Sequence, residues 1–558
     1  FEFMNAAATS FTDKVQSGLQ SMAFSNPVYT MALRGKTPRS LQFTPPDPWP
    51  GDAAQGHRLI NNTYHFGGEI VQSDRPVWLP YDIAHSWMVE AHGFAWLRDL
   101  RAVGGDSARR QARVMILSWL DEFPNWHADV WRPELLGQRI TMWLSMYEFF
   151  WASADAQVQQ RIFESLAKQA RHLSYILPGG FGAHLYPSLR GYALIVAIKG
   201  LIYSGLCLPD GQGRLKQGLA VLRDQLPKQV YADGTHLQRN PETHLNVLRH
   251  LVDIRAALRM ANVEVPVELQ NALDRMTPAL RFFRHGDGKL CLFNGGQEDQ
   301  QMVIDMVLTQ ADAKGRPLNS APHSGFERIM MGRSLLIMDT GVPVGNRLDN
   351  RHHAGTLSFE LSVGKDRLIV NCGSHPKWDA HDTDTLHHAL RNTAAHSCPG
   401  LDDLNSSEIR KNGHLGRVPQ NVKVHRQEAE DVCLIDTEHD GYESNLGFHI
   451  KRRIYMADNG EDIRGEDVFA GGAEHQFIVR FHLHPDVRVS LLQNDTAALL
   501  QTPSGSGWRF RQDGATLKLE ESIYCGSGDT PRRTQQLVLS GETIGGNTTV
   551  KWGLKRRK

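Results

Sequence analysis

One change of texture, near Pro317, constrains this chain more than any other feature. Before it, from about residue 84 to 285, apolar residues recur at helical spacing, as in Ala84, Trp87, Met88, Ala91 and Ala95, and again in Trp143, Met146, Tyr147 and Phe150. After it, the short β-branched runs 334–340, 356–363, 367–372 and 449–455 are set apart by turns such as Gly364-Lys365-Asp366 and Asp458-Asn459-Gly460. Helices followed by strands, rather than alternating with them, exclude a doubly wound nucleotide-binding fold. They predict an α+β multidomain protein of roughly seven to ten helices and then a large antiparallel β-sandwich. The expected organisation is an extended Pro/Gly-rich arm over 1–80, a helical domain over 81–315 and the sandwich over 316–558. Phe1-Glu2-Phe3 ahead of Met4 reads as a cloning scar. No basic-then-apolar leader follows it, so a cytoplasmic protein is expected, or a periplasmic one if a longer leader has been removed. No window approaches the roughly 18 apolar residues that span a bilayer, so membrane insertion is not expected.

Charge and cysteine usage narrow the partners. Lys+Arg and Asp+Glu are each 61, so no global field draws in nucleic acid or an anionic membrane, and an acidic ligand must be met by a few placed Arg or His residues. Six cysteines without a C-x-x-C pair fit reduced, buried thiols rather than a zinc ribbon or disulfide scaffold. P-loop, G-x-S-x-G, H-E-x-x-H and G-x-G-x-x-G motifs are all missing. What remains is histidine. In Asp233-Gly234-Thr235-His236-Leu237-Gln238-Arg239-Asn240-Pro241-Glu242-Thr243-His244, Asn240 is the expected N-cap and Pro241 the N1 residue of a helix. His236 and Arg239 then stand near its positive end, where anions bind; alternatively, they tie the turn to a neighbouring helix. A second cluster runs from Arg351-His352-His353 through Asn371-Cys372-Gly373 to Asn392-Thr393-Ala394-Ala395-His396. There two imidazoles and a third donor could converge on a metal, or the imidazoles could hold two strand ends together. A loop carrying His184, Tyr186 and Arg190 leads into another helix.

The runs Ser320-Ala321-Pro322-His323-Ser324-Gly325-Phe326, His353-Ala354-Gly355-Thr356-Leu357-Ser358-Phe359, Ile369-Val370-Asn371-Cys372-Gly373 and Thr393-Ala394-Ala395-His396-Ser397 resemble, in order and spacing, the heparinase II/III-like polysaccharide lyase superfamily. Asp233-Gly234 opens a segment similar to the family's D-G-x-x-x-E-x-S-x-x-Y-H block, and Trp131, Arg139 and Trp143 resemble a cleft-lining helix. The resemblance implies an incomplete (α/α) toroid joined to the sandwich. It also implies β-elimination on a uronate-containing glycan, in which one group neutralises the carboxylate, a base removes the C5 proton and an acid protonates the leaving oxygen.

Residue by residue, the sequence departs from that pattern. The family's catalytic tyrosine falls on Thr243, the first histidine of its H-x-H on Arg351 and the aspartate of its V-D-P-G on Asn371, while His244, His353 and His396 are retained. A structural zinc would therefore rest on His353, Asn371 and His396. Among the groups available, His236 is the expected base and Tyr186 the acid, although a tyrosine before proline is also a common rim-packing residue. Arg239 and Arg190 are the expected carboxylate clamps, because a guanidinium grips a carboxylate through two parallel hydrogen bonds. Asn240, His244, Arg139, Trp131, His184 and Arg351 are the expected substrate contacts. The rivals are a glycoside hydrolase using Glu242 with Glu90 or Asp233, and a non-catalytic glycan-binding relative.

Overall fold

The computed structural model describes residues 14–80, 84–345, 348, 350–377, 385–492, 495–528 and 530–557; Phe1-Glu2-Phe3, read above as a scar, lie outside these. The chain divides into two compact units: Phe1–Gln229, Val247–Leu273 and Pro376–Asp379 form one, and Val230–Asn246, Asp274–His375 and Ala380–Lys558 the other. The helix-to-strand change falls where the sequence places it, between helix Gln301–Ala311 and strand Ser320–Ala321. The compact units do not follow that change, because residues 230–246 and 274–315 pack with the strands.

In the helical unit, Gly191–Cys207 is apolar on every side and has all but two of its residues buried, as a central toroid helix requires. It meets helix Pro133–Ser145 in backbone contact: a Cβ on Gly137 would lie 2.3 Å from the Val196 carbonyl, and one on Gly200 would lie 2.4 Å from the Gly137 Cα. Side chains are excluded at both positions, which outweighs the helix-propensity cost of glycine. The arm is not extended throughout. Residues 14–24 are helical, Pro27–Ala32 and Ala53–Ile60 are short helices, and Thr63–Phe66 pairs with Glu69–Gln72 in a hairpin. That hairpin turns on Gly67 and Gly68, both at positive φ, and the Gly-Gly flanked by alternating apolar residues was its sequence signal.

The strand-rich unit holds two large sheets, and every ladder between their named strands is antiparallel. One runs in spatial order Arg488–Leu492, Ala497–Gln501, Gly507–Asp513, Gly546–Arg556, Asp462–Gly471, Phe448–Ala457, Val432–Tyr442, Val422–Ala429. The other runs Thr516–Tyr524, Arg532–Glu542, Gln476–Leu483, Asp366–Val370, Phe359–Val363, Ser334–Asp339, Phe326–Met331, Ser320–Ala321. Their facing side chains make one core, in which Phe359 stacks on Trp552 with ring centroids 5.6 Å apart and Phe481 meets the same indole edge-on. The architecture is an (α/α) toroid followed by an antiparallel sandwich, as the resemblance implied.

Candidate functional site

The motif from Val230 to Asn246 lies in the strand-rich unit, and its local chemistry closes it on itself. Gly234 turns the chain at φ +87°, with no room for a Cβ beside the Arg275 carbonyl. Asp233 fixes the turn by accepting from the Thr235 and Ser324 amides at 3.1 and 2.8 Å. The His236 amide donates to His244 Nδ1 (3.1 Å), leaving His244 Nε2–H to donate to the Met276 carbonyl (2.9 Å). Both rings are fully enclosed. Burial pushes the His236 pKa down to about 3 and that of His244 down to about 4. His236 is therefore neutral at pH 7, as a base should be, but the cause is burial and not a helix terminus. Its enclosed ring fixes the turn instead of meeting a substrate.

Arg239 is corrected in the same way. Its Nε donates to the Ser324 carbonyl (2.5 Å), Nη1 to that of Val342 (3.1 Å) and Nη2 to that of Gly325 (3.1 Å), while Asp339 forms a buried ion pair with it. Phe326 packs against the guanidinium, 4.8 Å from the ring centroid. Four of its five N–H donors are engaged within the protein and the side chain is buried, so no two-pronged grip on a substrate carboxylate is open to it. Asn240 caps its helix by accepting from the Thr243 amide at 2.9 Å, and its Nδ2 donates to the Asn294 carbonyl at 2.7 Å. Asn240 and His244 are thus organising residues, not substrate contacts.

The loop Phe293–Gln297 brings the two histidine clusters together. Gly295, at φ +84°, passes so close to the 351–353 segment that a Cβ would lie 2.7 Å from the Arg351 carbonyl and 3.3 Å from His353 Nε2. A Cβ on Gly296 would lie 3.2 Å from Asn240 Oδ1. Arg351 Nη2 donates to the Gly295 carbonyl (3.1 Å) and stands 3.7 Å from Glu242, with about a third of its side chain exposed. Glu242 Oε2 is buried without a hydrogen-bond partner, and burial raises the carboxyl pKa against the pull of Arg351. Glu242 had entered the sequence reading only through a rival mechanism. The Asn-Gly-Gly turn at 294–296 is the sequence signal for this cluster.

The residues assigned to a metal supply too few donors. His396 Nδ1–H donates to the Asn392 carbonyl (2.8 Å), so its Nε2 accepts from His353 Nδ1–H at 3.1 Å. Asn371 Oδ1 accepts instead from the Ser397 amide at 3.0 Å. Among the described residues no group of three His, Cys, Asp or Glu side chains is placed to hold a metal ion. The two imidazoles join two chain segments, the alternative that the sequence had left open.

The remaining predicted residues lie in the helical unit. Arg139 is wholly buried, donates to Gln169 Oε1 (2.6 Å) and to the His92 and Val130 carbonyls, and lies over Trp119. Trp131 is equally buried and meets His172 edge-on. Both are packed inside the helical unit and not exposed as the expected substrate contacts would be. Tyr186 is part-buried and stacks on Phe24, with burial raising its hydroxyl pKa. Arg190 Nη2 donates to the Pro187 carbonyl (3.0 Å), and exposed His184 contacts the Phe181 carbonyl. The partner of Tyr186, Phe24, comes from the arm and carried no sequence signal.

A toroid followed by an antiparallel sandwich is the scaffold that the sequence resemblance implied. The chain belongs to the heparinase II/III family: residues 85–314 match the family's heparinase II/III N-terminus and residues 313–553 its heparinase II/III-like C-terminal region. It is 32% identical over 540 residues to FtsZ-localized protein C of Caulobacter vibrioides, covering 90% of this chain and 88% of that protein. Among solved structures it resembles heparinase III, with a TM-score of 0.75 and 14% identity over 94% of this chain and 88% of the other. Heparan sulfate lyase HepC from Pedobacter heparinus gives a TM-score of 0.59 and 16% identity over 92% and 84%. At such identities these structures speak for the fold. Among the described residues no helix is long and apolar enough to cross a membrane.

Proposed function

We propose that this chain recognises an acidic, uronate-type glycan at the positions where its family carries out catalysis, but does not perform β-elimination there. It is then a non-catalytic relative of the polysaccharide lyases. The observation that carries this reading is the state of His236 and Arg239, the groups best suited to proton abstraction and carboxylate neutralisation: both side chains are enclosed, and Arg239 is held by three carbonyls and Asp339. A general base must come within roughly 2.6–3.2 Å of the proton it removes. Thr243 adds only an aliphatic hydroxyl, a far weaker acid than a phenol. Arg351 keeps a partly exposed guanidinium able to hold a carboxylate. The test is to incubate the protein with a panel of acidic polysaccharides while following both binding and the absorbance of an unsaturated product. We expect binding that Arg351→Ala weakens, with no new chromophore; a growing chromophore overturns the reading in favour of a lyase.

One observation favours a second reading. A partly buried carboxyl of raised pKa beside an arginine is a recurring form of catalytic acid, and Glu242 has that form. Under this reading Glu242 protonates the leaving glycosidic oxygen, and any product, unsaturated or reducing, disappears in Glu242→Gln. The Caulobacter vibrioides relative is named for localisation with FtsZ. We extend that localisation to this chain; a fluorescent fusion that stays diffuse while FtsZ assembles would remove it.

A further inference from the structure

The whole chain balances 61 basic against 61 acidic residues. A groove of about 740 Å³ on the outward face of the eight-stranded sheet does not: eight Lys and Arg residues line it against three acidic ones. Strand alternation builds it. Along Gly546–Arg556, Thr548, Val550, Trp552 and Leu554 enter the core, so Lys551, Gly553 and Lys555 face outward. The register sets Gly553 opposite Arg464 on one side and Arg511 on the other. A Cβ at Gly553 would meet nothing closer than the Ile463 carbonyl at 3.5 Å. The glycine thus leaves a pit, floored by backbone and ringed by Arg464, Arg511, Lys551 and Lys555.

Some of these cations have carboxylate partners and some do not. Asp462 holds Arg464 at 2.7 Å and Lys555 at 3.5 Å, and Arg453 reaches Asp436 and Glu466. Arg509 and Arg511 make no ion pair among the described residues, Lys551 stands between Glu466 and Asp513 in the ladder without a close contact to either, and Arg509 Nε is buried without a hydrogen-bond partner. Lys555 and Arg509 stand directly opposite each other across the ladder. Like charges so placed destabilise a sheet, and a buried donor without an acceptor costs more still. An anion in the groove relieves both.

We propose that this groove binds a linear acidic glycan segment, with a carboxylate or sulfate group seated over Gly553 against Arg511 and Lys551, and with Arg464, already held by Asp462, at its rim. The shape and lining select this ligand. The cationic strip is two strand spacings wide, which matches a single anionic chain rather than a plane of lipid headgroups or a duplex. Its one outward-facing aromatic, Tyr455, is covered by Arg464, whose guanidinium carbon lies 5.7 Å from the ring centroid, so no bare platform exists on which bases could stack. Arg464 and Arg511 flank the central strand at two strand spacings, about 9.6 Å, a span suited to successive groups along a sugar chain. None of the groove residues belongs to the Arg351 and Glu242 cluster, so this site stands independently of the function proposed above.

The test is calorimetric titration with heparin, with polyglucuronate as a carboxylate-only chain and with neutral dextran, at rising salt. We expect salt-sensitive binding of the acidic chains alone. Arg511→Gln combined with Lys551→Gln should weaken it at least about tenfold, since a charged hydrogen bond contributes about 1.5–3 kcal/mol. Gly553→Leu should do the same by filling the pit without changing charge, and neither should move the melting temperature by more than about 2 °C. Arg351→Ala in the same titration separates the two sites: binding kept by that variant and lost in Gly553→Leu belongs to the groove. Wild-type affinity in the groove variants, or no binding of either acidic chain, overturns the proposal. So does loss in these variants of binding to single-stranded DNA or phosphatidylserine vesicles while glycan binding is kept.

Discussion

Arg239 and Arg511 are the same side chain in one unit of one molecule, with opposite fates. Arg239 is enclosed against Phe326, donates to three carbonyls and pairs with Asp339. Arg511 lies exposed on a sheet face, opposite a glycine and without a carboxylate partner. The first position lies inside a segment that resembles a family motif and the second lies in none. A motif therefore tells where the chain turns, while the bonding state of each charged group tells whether it can still serve a ligand. Buried ion pairs lock geometry, and unpaired exposed cations keep their capacity for anions.

Breaking the enclosed pair gives the largest expected effect. Arg239→Ala leaves Asp339 buried and uncompensated and should cost about 3–5 kcal/mol in chemical denaturation; a loss below about 1 kcal/mol, the scale of exposed pairs, would place Arg239 with Arg511. Acid comes next. Eleven described histidines have pKa values below the ordinary range, with His236 and His172 at about 3 and His244 and His396 at about 4. The unfolded chain takes up these protons near pH 6.5, the folded chain only near 3–4. Stability is therefore complete above about pH 6.5 and falls as the pH drops toward 4. Calorimetry from pH 7.5 to 4.5 should show that decline, and a flat profile would mean that the rings are open to water. Smaller again is His396→Ala, which leaves His353 Nδ1–H without its acceptor and should cost about 1–3 kcal/mol. Elemental analysis should find no stoichiometric zinc in the parent protein; one equivalent, lost in that variant, would show that Asn371 completes a metal site. The smallest effect belongs to Glu242→Gln. Burial already disfavours the charged form of Glu242, so the neutral amide should change stability by less than about 1 kcal/mol.

The strands expected at 334–340, 356–363, 367–372 and 449–455 correspond to Ser334–Asp339, Phe359–Val363, Asp366–Val370 and Phe448–Ala457. Asn240 caps the helix that its sequence marks, and the Asp233-Gly234 turn stands where it was read. These features answer to residues only a few positions apart, so periodicity and turn chemistry disclose them. The arm hairpin was equally local and was overlooked through its Pro-rich surroundings. What His236, Arg239, Arg139 and Trp131 do was not local at all. Arg239 is committed by Ser324, Gly325, Asp339 and Val342, which lie 85 to 103 residues further along the chain. The pit at Gly553 exists only because the strand register brings Arg464 and Arg511 to either side of it. The sequence by itself determined the order of helices and strands, the principal turns and the family. Only the tertiary structure decided which charges are satisfied within the protein and which remain available, because burial and ion pairing depend on partners that chain folding alone brings within a few ångströms.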